Sequence, residues 1–228
     1  MTDTLSRAAT PATRGTRRAI PLVGAALTLL VAVTGCTGAD GHGSAAPDAT
    51  TPVAVTVTGP LCDQLPAGDE PGNPTSLASQ PADQALQWIP VLTTFEAAVR
   101  ATGLATELTG TAGVTILAPT DDAFAAKFSR TNLDELLLKE TDTLRGLLRD
   151  HVVTGSLPVA ELITSGTVTT LAGTRLTVTG SGRSARVDDR ADTVCADYQV
   201  SNARIHVINQ VLGSLPTTAG DEEDDHHS

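Results

Sequence analysis

Apolar residues recur at helical spacing in the middle of the chain. Leu92, Phe95 and Val99 follow one another at steps of three and four residues, so their side chains fall on one face of a helix. Gly103 follows at a distance suited to a helix end. The pattern therefore predicts an amphipathic helix that begins near Ile89 and stops at Gly103.

A buried strand and a second helix are predicted directly after it. The run 114–118 is short, apolar and β-branched, and Pro119 ends it. Thr120 has the side chain of an N-cap, which places the start of a helix at that residue. Phe124 and Phe128 lie one turn apart on this helix and are expected to face the core together.

Leucines mark two further helices. Thr131 is the predicted cap of the first, with Asp134 three residues later. The second runs toward His151, and a short helical turn is expected after Pro158. The leucines are Leu133, Leu136 and Leu137 in the first helix, and Leu144, Leu147 and Leu148 in the second.

Beyond Gly166 the pattern changes to short strands rich in Thr and Val. Segment 180–183 has the length and the residues of a hairpin turn. The predicted strands are 168–171, 176–179, 184–187, 192–194 and 204–208. Helices in the first part and strands in the second predict an α+β domain, not an alternating α/β fold.

The N-terminus has the pattern of an export signal. Arginines precede an uncharged, mostly apolar run at 19–33, and small residues follow it up to Cys36. Cys in this place resembles the lipobox of bacterial lipoproteins, which implies cleavage after residue 35 and acylation of Cys36. A retained membrane helix is the alternative, although fifteen residues are short for a span of about 20. Ordinary cleaved secretion is the other alternative.

Composition then divides the rest of the chain. Residues 36–60 are rich in Gly, Ala, Thr and Pro and predict a flexible tether, and 61–216 is the predicted domain. The end, 217–228, carries clustered acidic residues and is expected to be disordered. The formal net charge of −11 argues against nucleic acid and anionic lipid headgroups as partners.

Two cysteines remain if Cys36 is acylated. Cys62 and Cys195 form an even pair in an exported protein, which predicts a disulfide between them. Their separation lacks the paired spacing of zinc ligands, so no metal site is predicted. No suitable base lies near Cys195 in the sequence to activate it as a catalytic thiol.

Three segments together resemble the fasciclin-like domain family. Residues 115–124 resemble its first signature box, with Ala-Pro-Thr before a polar pair and Ala-Phe. Residues 147–155 resemble its central helix-to-strand segment, which contains His-Val-Val, and 205–212 resemble its second box. With the lipobox and the cysteine pair, the chain further resembles the secreted and surface-lipoprotein fasciclin antigens of mycobacteria.

This resemblance implies a compact α+β unit over 61–216, a twisted β-sandwich or wedge with helices along one side. It also implies the Cys62–Cys195 disulfide, a role in cell adhesion and matrix contact, no enzyme activity and no cofactor. The chain departs from the family at Asp150, where a Tyr often precedes the central His, and at Asn209, where Asp is usual. The Tyr–His pair at this place is implicated in adhesion in some animal members of the family, so the resemblance makes His151 and Asp150 candidates for a contact surface.

Other residues with chemical potential receive structural interpretations. Asp121 and Asp122 lie at a helix start, where the dipole favours negative charge. His151 lies at a helix end, where a cationic ring would suit the dipole, and His206 is expected to be hydrogen-bonded within a strand. Trp88 is predicted to fill the core.

The resulting hypothesis is a lipid-anchored protein on the outer face of a bacterial membrane. Its domain would bind envelope or extracellular proteins or glycans, with no catalytic residue, no metal and no cofactor. A carrier or sensor of a small apolar ligand is the alternative, and an apolar pocket of several hundred Å³ would favour it.

Overall fold

The computed structural model describes residues 55–109 and 113–215 of the 228-residue chain. Within those ranges the chain forms eight α-helices and seven strands. The helices are α1 (Pro74–Leu77), α2 (Ala82–Ala85), α3 (Thr93–Ala101), α4 (Ala105–Leu108), α5 (Asp121–Lys127), α6 (Arg130–Leu138), α7 (Thr141–Arg149) and α8 (Val159–Ser165). The strands are β1 (Val114–Pro119), β2 (Val152–Thr154), β3 (Thr167–Thr169), β4 (Arg175–Ser181), β5 (Ser184–Val187), β6 (Ala191–Val200) and β7 (Ala203–Ile208).

Several predicted segments lie outside the described residues. They are the signal segment 1–35, Cys36, most of the tether 36–60, and the acidic tail 217–228. The last residues assigned to the tether belong to the fold, because Thr58 forms a β-bridge with Ala196 through two backbone hydrogen bonds of 3.0 and 2.7 Å. No helix among the described residues is long and apolar enough to cross a membrane.

All seven strands belong to one sheet, in the order β2-β1-β7-β6-β5-β4-β3. β1 and β7 are parallel, and the other neighbouring pairs are antiparallel. Val153 in the edge strand β2 also bridges Thr170, the residue after the opposite edge strand β3. The sheet therefore rolls until its two edges meet, which gives the α+β wedge that the sequence predicts.

Two hydrophobic clusters fill the two sides of this sheet. The larger cluster joins β1, β6 and β7 to helices α1 to α7 and contains Phe95, Phe124 and Leu148, each without exposed surface. The smaller cluster joins β4 and β5 to α8 and contains Leu162 and Val187. The helical spacing predicted for α3 is confirmed, because Phe95 and Val99 are buried on one face.

The start of α5 follows the prediction closely. All six residues of β1 are buried, and the Thr120 hydroxyl accepts a hydrogen bond of 3.1 Å from the backbone N–H of Ala123. Phe124 and Phe128 are both buried, with ring centroids 6.3 Å apart. An N-cap of this kind contributes about 1 kcal/mol, because it satisfies a donor that the helix itself leaves unpaired.

Three local predictions are wrong. Helix α6 begins two residues earlier than expected: its cap is Ser129, which accepts from the N–H of Asn132, and Thr131 lies inside the helix. The strand predicted at 192–194 continues as β6 to Val200. Trp88, predicted to fill the core, is 49% exposed.

The prediction stopped at residue 194 because β6 has an irregularity in its middle. Its register with β7 shifts between Cys195 and Tyr198, and Asp197 has a φ of 72°. Such a bulge adds a residue to one strand and turns side chains away from simple alternation. The alternating pattern is therefore interrupted in the sequence, although the strand itself continues.

Candidate functional site

The described residues before α3 are joined to the sheet by the disulfide between Cys62 and Cys195. The two Cα atoms are 5.1 Å apart, and the cysteines are separated by 133 positions in sequence. Asn202 forms a second link, because its side-chain oxygen accepts from the N–H of Ala82 at 2.9 Å and its amide donates to the carbonyl of Leu108 at 2.7 Å. The described residues before α3 are therefore an integral part of the domain.

His151 lies just after the end of α7, on the side of the sheet that carries the larger hydrophobic cluster. Its Nδ1 is 2.9 Å from the carbonyl oxygen of Leu147, and its Nε2 accepts from the backbone N–H of Leu212 at 2.8 Å. Since Leu212 N–H is a donor and Leu147 C=O an acceptor, the ring carries its proton on Nδ1 and is neutral. The imidazole thereby links α7 to the C-terminal segment of the domain.

Burial excludes His151 from a contact surface. The side chain has no exposed area, and burial lowers its pKa to about 4, although the Leu147 carbonyl and Asp150 act in the opposite direction. The ring is therefore not cationic near neutral pH. The expectation that a cationic ring interacts favourably with the helix dipole at the end of α7 is wrong. Desolvation opposes the charged form more strongly than the helix end favours it.

Asp150, the other candidate for a contact surface, is half-buried beside the β3–β4 turn. Its carboxylate accepts a hydrogen bond of 2.6 Å from the Thr174 hydroxyl and lies 3.4 Å from the Thr170 hydroxyl. It therefore connects the end of α7 to that turn. A role for Asp150 in contacts with a partner stays a prediction.

His206 has a similar bridging position in β7, with the opposite tautomer. Its Nδ1 accepts from the N–H of Asp197 at 3.1 Å, and its Nε2 donates to the carbonyl of Leu157 at 3.0 Å. The ring has no exposed surface, and burial lowers its pKa. The predicted hydrogen-bonded role of His206 is confirmed, and the ring is bonded to the backbone of the bulge in β6.

Asp121, which precedes Asp122 in the first turn of α5, also serves the fold. Asp121 accepts from the backbone N–H of Thr94 at 2.7 Å and from the Thr93 hydroxyl at 2.8 Å. Its carboxylate thus lies at the N-termini of both α3 and α5, where the helix dipoles favour negative charge. Among the described residues, no group of three or more His, Cys, Asp or Glu side chains could hold a metal ion.

Open depressions with charged linings mark the surface. The one near Trp88 has a volume of about 780 Å³ and includes Asp63 and Glu70. Another, of about 390 Å³, lies between α5 and the residues after β7 and includes Lys127 and Arg190. Each of these depressions therefore combines charged and apolar side chains in its lining.

The exposure of Trp88 was missed in the sequence, although a signal for it exists. Leu86 and Ile89 are both buried and lie three residues apart around a 3₁₀ turn. Residues at that spacing share one face of the turn, so the residue between them at 88 points to another side. The presence of a single Trp favoured the core interpretation only because large aromatic side chains are buried on average.

The fold agrees with the fasciclin-like domain that the three sequence motifs indicate. It has a rolled sheet, helices packed against the sheet in the larger hydrophobic cluster, and a hydrogen-bonded His151 in the central segment. A family model described as "Fasciclin domain" matches residues 90–215, more than half of the chain. The chain therefore belongs to the fasciclin-domain family, and the resemblance seen in the sequence is confirmed.

Several known proteins are similar to the chain. Protein sll1483 of Synechocystis is 40% identical over 119 residues, which cover 52% of this chain and 65% of that protein, just under two thirds. Immunogenic protein MPT70 of Mycobacterium tuberculosis is 32% identical over 163 residues, covering 68% of this chain and 81% of that protein. The pig transforming growth factor-beta-induced protein ig-h3 is 33% identical over 126 residues, 55% of this chain and 18% of its own length.

A solved structure also matches part of the chain. It is a FAS1 domain pair from the insect cell adhesion molecule fasciclin I, at 23% sequence identity and a TM-score of 0.43. The match covers 55% of this chain and 46% of that one.

Proposed function

We propose that this chain is a lipid-anchored protein of the outer face of a bacterial membrane, whose fasciclin domain makes adhesive contacts with envelope or extracellular proteins or glycans. Membership of the fasciclin-domain family supports the contact function. The apolar run 19–33 followed by Cys36 supports the anchor. An anchor would hold many copies at the cell boundary, where weak individual contacts add up.

The observation that carries the contact function is the close burial of the apolar side chains inside the domain. Most large apolar side chains are packed into the two clusters, and the buried imidazoles of His151 and His206 are bonded to backbone groups. A carrier of a small apolar ligand would instead need a concave, mainly apolar pocket. The depressions near Trp88 and Lys127 are open and carry charged side chains, which suits contact with a polar partner.

Comparison of cells with and without the chain tests the contact function. Adherence would be measured to immobilised envelope and extracellular matrix proteins and to immobilised glycans. We expect at least one surface to retain the wild-type cells better than the cells that lack the chain. Equal adherence to every surface would contradict the contact function, and a stoichiometric non-covalent lipid in native mass spectra of the purified chain would favour a carrier.

Fatty-acid labelling tests the anchor separately. Cells given a radiolabelled fatty acid are expected to label the wild-type chain and not the Cys36→Ala variant. The variant should also leave the membrane fraction, because the thiol that would accept the lipid is absent. Equal labelling of both proteins, or of neither, would refute acylation at Cys36.

A further inference from the structure

Trp88 is exposed on the surface, and its backbone is closely packed. It is one of two exposed large apolar side chains among the described residues, and the other is Leu138. The backbone of Gly72 packs against it so closely that a Cβ at position 72 would lie 2.4 Å from the Trp88 carbonyl oxygen. Gly72 also has a φ of 86°, which favours glycine. The backbone and Cβ of Trp88 are thus closely packed, although the residue is 49% exposed.

The depression beside this indole has apolar walls with acidic groups among them. Pro66, Pro71 and Pro90 line it together with Trp88, and Asp63 and Glu70 supply two carboxylates. The loop that carries Glu70 is ordered by its own hydrogen bonds, one of which runs from the N–H of Ala67 to the Glu70 carboxylate at 2.9 Å. We refer to this depression as the Trp88 groove.

The charge of the surrounding segment is of one sign. The sequence contains no Lys or Arg between Arg18 and Arg100, and all charged residues of 55–99 are acidic. They are Asp63, Asp69, Glu70, Asp83 and Glu96. Of these, Glu96 is paired with Arg100 at 3.0 Å, on α3. The carboxylates that line the Trp88 groove therefore have no cationic residue within their own segment to balance them.

We propose that the Trp88 groove binds a Lys- or Arg-bearing segment of a partner protein, and this inference rests on the contact function proposed above. A cationic side chain stacks on the face of an indole more favourably than on any other aromatic ring. Its aliphatic stem would lie along the prolines, and its charge would pair with Asp63 and Glu70. A neutral glycan would also stack on the indole but would gain nothing from the negative charge, and anionic ligands would be repelled.

Because Trp88 is the only Trp of the chain, its fluorescence reports directly on the groove. The full chain, purified in detergent, would be titrated with a synthetic peptide of alternating Arg and Gly, with a Glu–Gly counterpart, and with a neutral chitin oligosaccharide. We expect a saturable fluorescence change with the Arg–Gly peptide alone. The affinity should fall as salt is added, because the contact is partly electrostatic.

Variants then separate the groove from general charge attraction. With a labelled Arg–Gly peptide and anisotropy detection, Trp88→Ala should weaken binding at least ~10-fold, and Trp88→Phe should weaken it less. Leu138→Ala removes the other exposed large apolar side chain and should have no effect. The double change Asp63→Asn, Glu70→Gln should weaken binding and flatten its salt dependence. The matched pair Asp134→Asn, Glu140→Gln removes two exposed carboxylates elsewhere and should do neither.

Each other outcome overturns the proposal. If Trp88→Ala binds the basic peptide as well as the wild type does, the attraction is non-specific. If the oligosaccharide gives the saturable change, the groove binds glycan, and if no probe binds, the groove is not a site. Cell adherence separates this proposal from the function above. Adherence that depends on the chain but is unchanged by Trp88→Ala would refute only the binding role of the Trp88 groove. Adherence independent of the chain would refute the contact function itself.

Discussion

Replacement of His151 by Gln should remove part of the acid sensitivity of the domain. Burial lowers the pKa of His151 in the folded protein to about 4, below its ordinary value of 6.5. The unfolded chain therefore binds this proton more readily than the folded chain does. The contribution of His151 to stability is complete above pH 6.5, is lost as the pH falls, and stops changing below pH 4.

The size of the effect follows from the two pKa values. Between pH 7.5 and pH 5 the unfolded chain gains most of the proton that the folded chain resists, which costs about 2 kcal/mol of unfolding free energy. The loss levels off at about 3 kcal/mol below the folded pKa. Structurally, a protonated ring has no lone pair on Nε2 to accept from the Leu212 N–H, so that bond of 2.8 Å is lost.

Urea unfolding at pH 7.5 and pH 5 measures the effect. The wild-type chain should lose about 2 kcal/mol more than the His151→Gln variant between these pH values, even though the variant is less stable at pH 7.5. Taking the difference between proteins cancels the carboxylates, which titrate in both. A variant of His226 and His227, from the predicted tail, is the matched control and should follow the wild type. If His151→Gln shows the same pH dependence as the wild type, the buried neutral ring is not the cause.

Three further changes test other parts of the fold. Reduction of the Cys62–Cys195 disulfide, which spans 133 positions, should lower the unfolding free energy by up to about 5 kcal/mol in urea, and a change below 1 kcal/mol would contradict a native cross-link. Thr120→Ala should cost about 1 kcal/mol through loss of the α5 cap, with Thr120→Ser nearly neutral. Gly72→Ala should cost about 1–3 kcal/mol and shift Trp88 emission, and an unchanged spectrum and midpoint would argue against their close packing.

The parts of the fold governed by short-range patterns could be predicted from the sequence. In α3 and α7 the apolar residues follow the helical repeat, and in β1 the unbroken apolar run matches a strand that is buried along its whole length. The Thr120 cap could also be predicted from the sequence, because its hydrogen bond involves only the next three residues. Such signals are contained in the segment that they describe.

Features set by distant residues were beyond the sequence. The bulge at Asp197 depends on His206, which accepts from its N–H, and on α8, whose Val159 N–H donates to the Asp197 carboxylate at 2.9 Å. The predicted charge of His151 failed for the same reason, since its burial is created by packing that a local pattern does not show. Trp88 is the exception, because the three-residue spacing of the apolar Leu86 and Ile89, both buried in the structure, was a local signal that the prediction did not use.

The departure at Asp150 gains its meaning from this geometry. A carboxylate at the C-terminal end of α7 is disfavoured by the helix dipole, and the hydrogen bond from the Thr174 hydroxyl offsets that cost. In the central segment, the His151 side chain is therefore buried in the interior, whereas the Asp150 side chain bonds to the β3–β4 turn. The contact role that the resemblance implies for a Tyr–His pair therefore does not extend to His151, whose side chain has no exposed surface. A contact surface must be sought among side chains with exposed area and unbalanced charge, and the Trp88 groove meets both conditions.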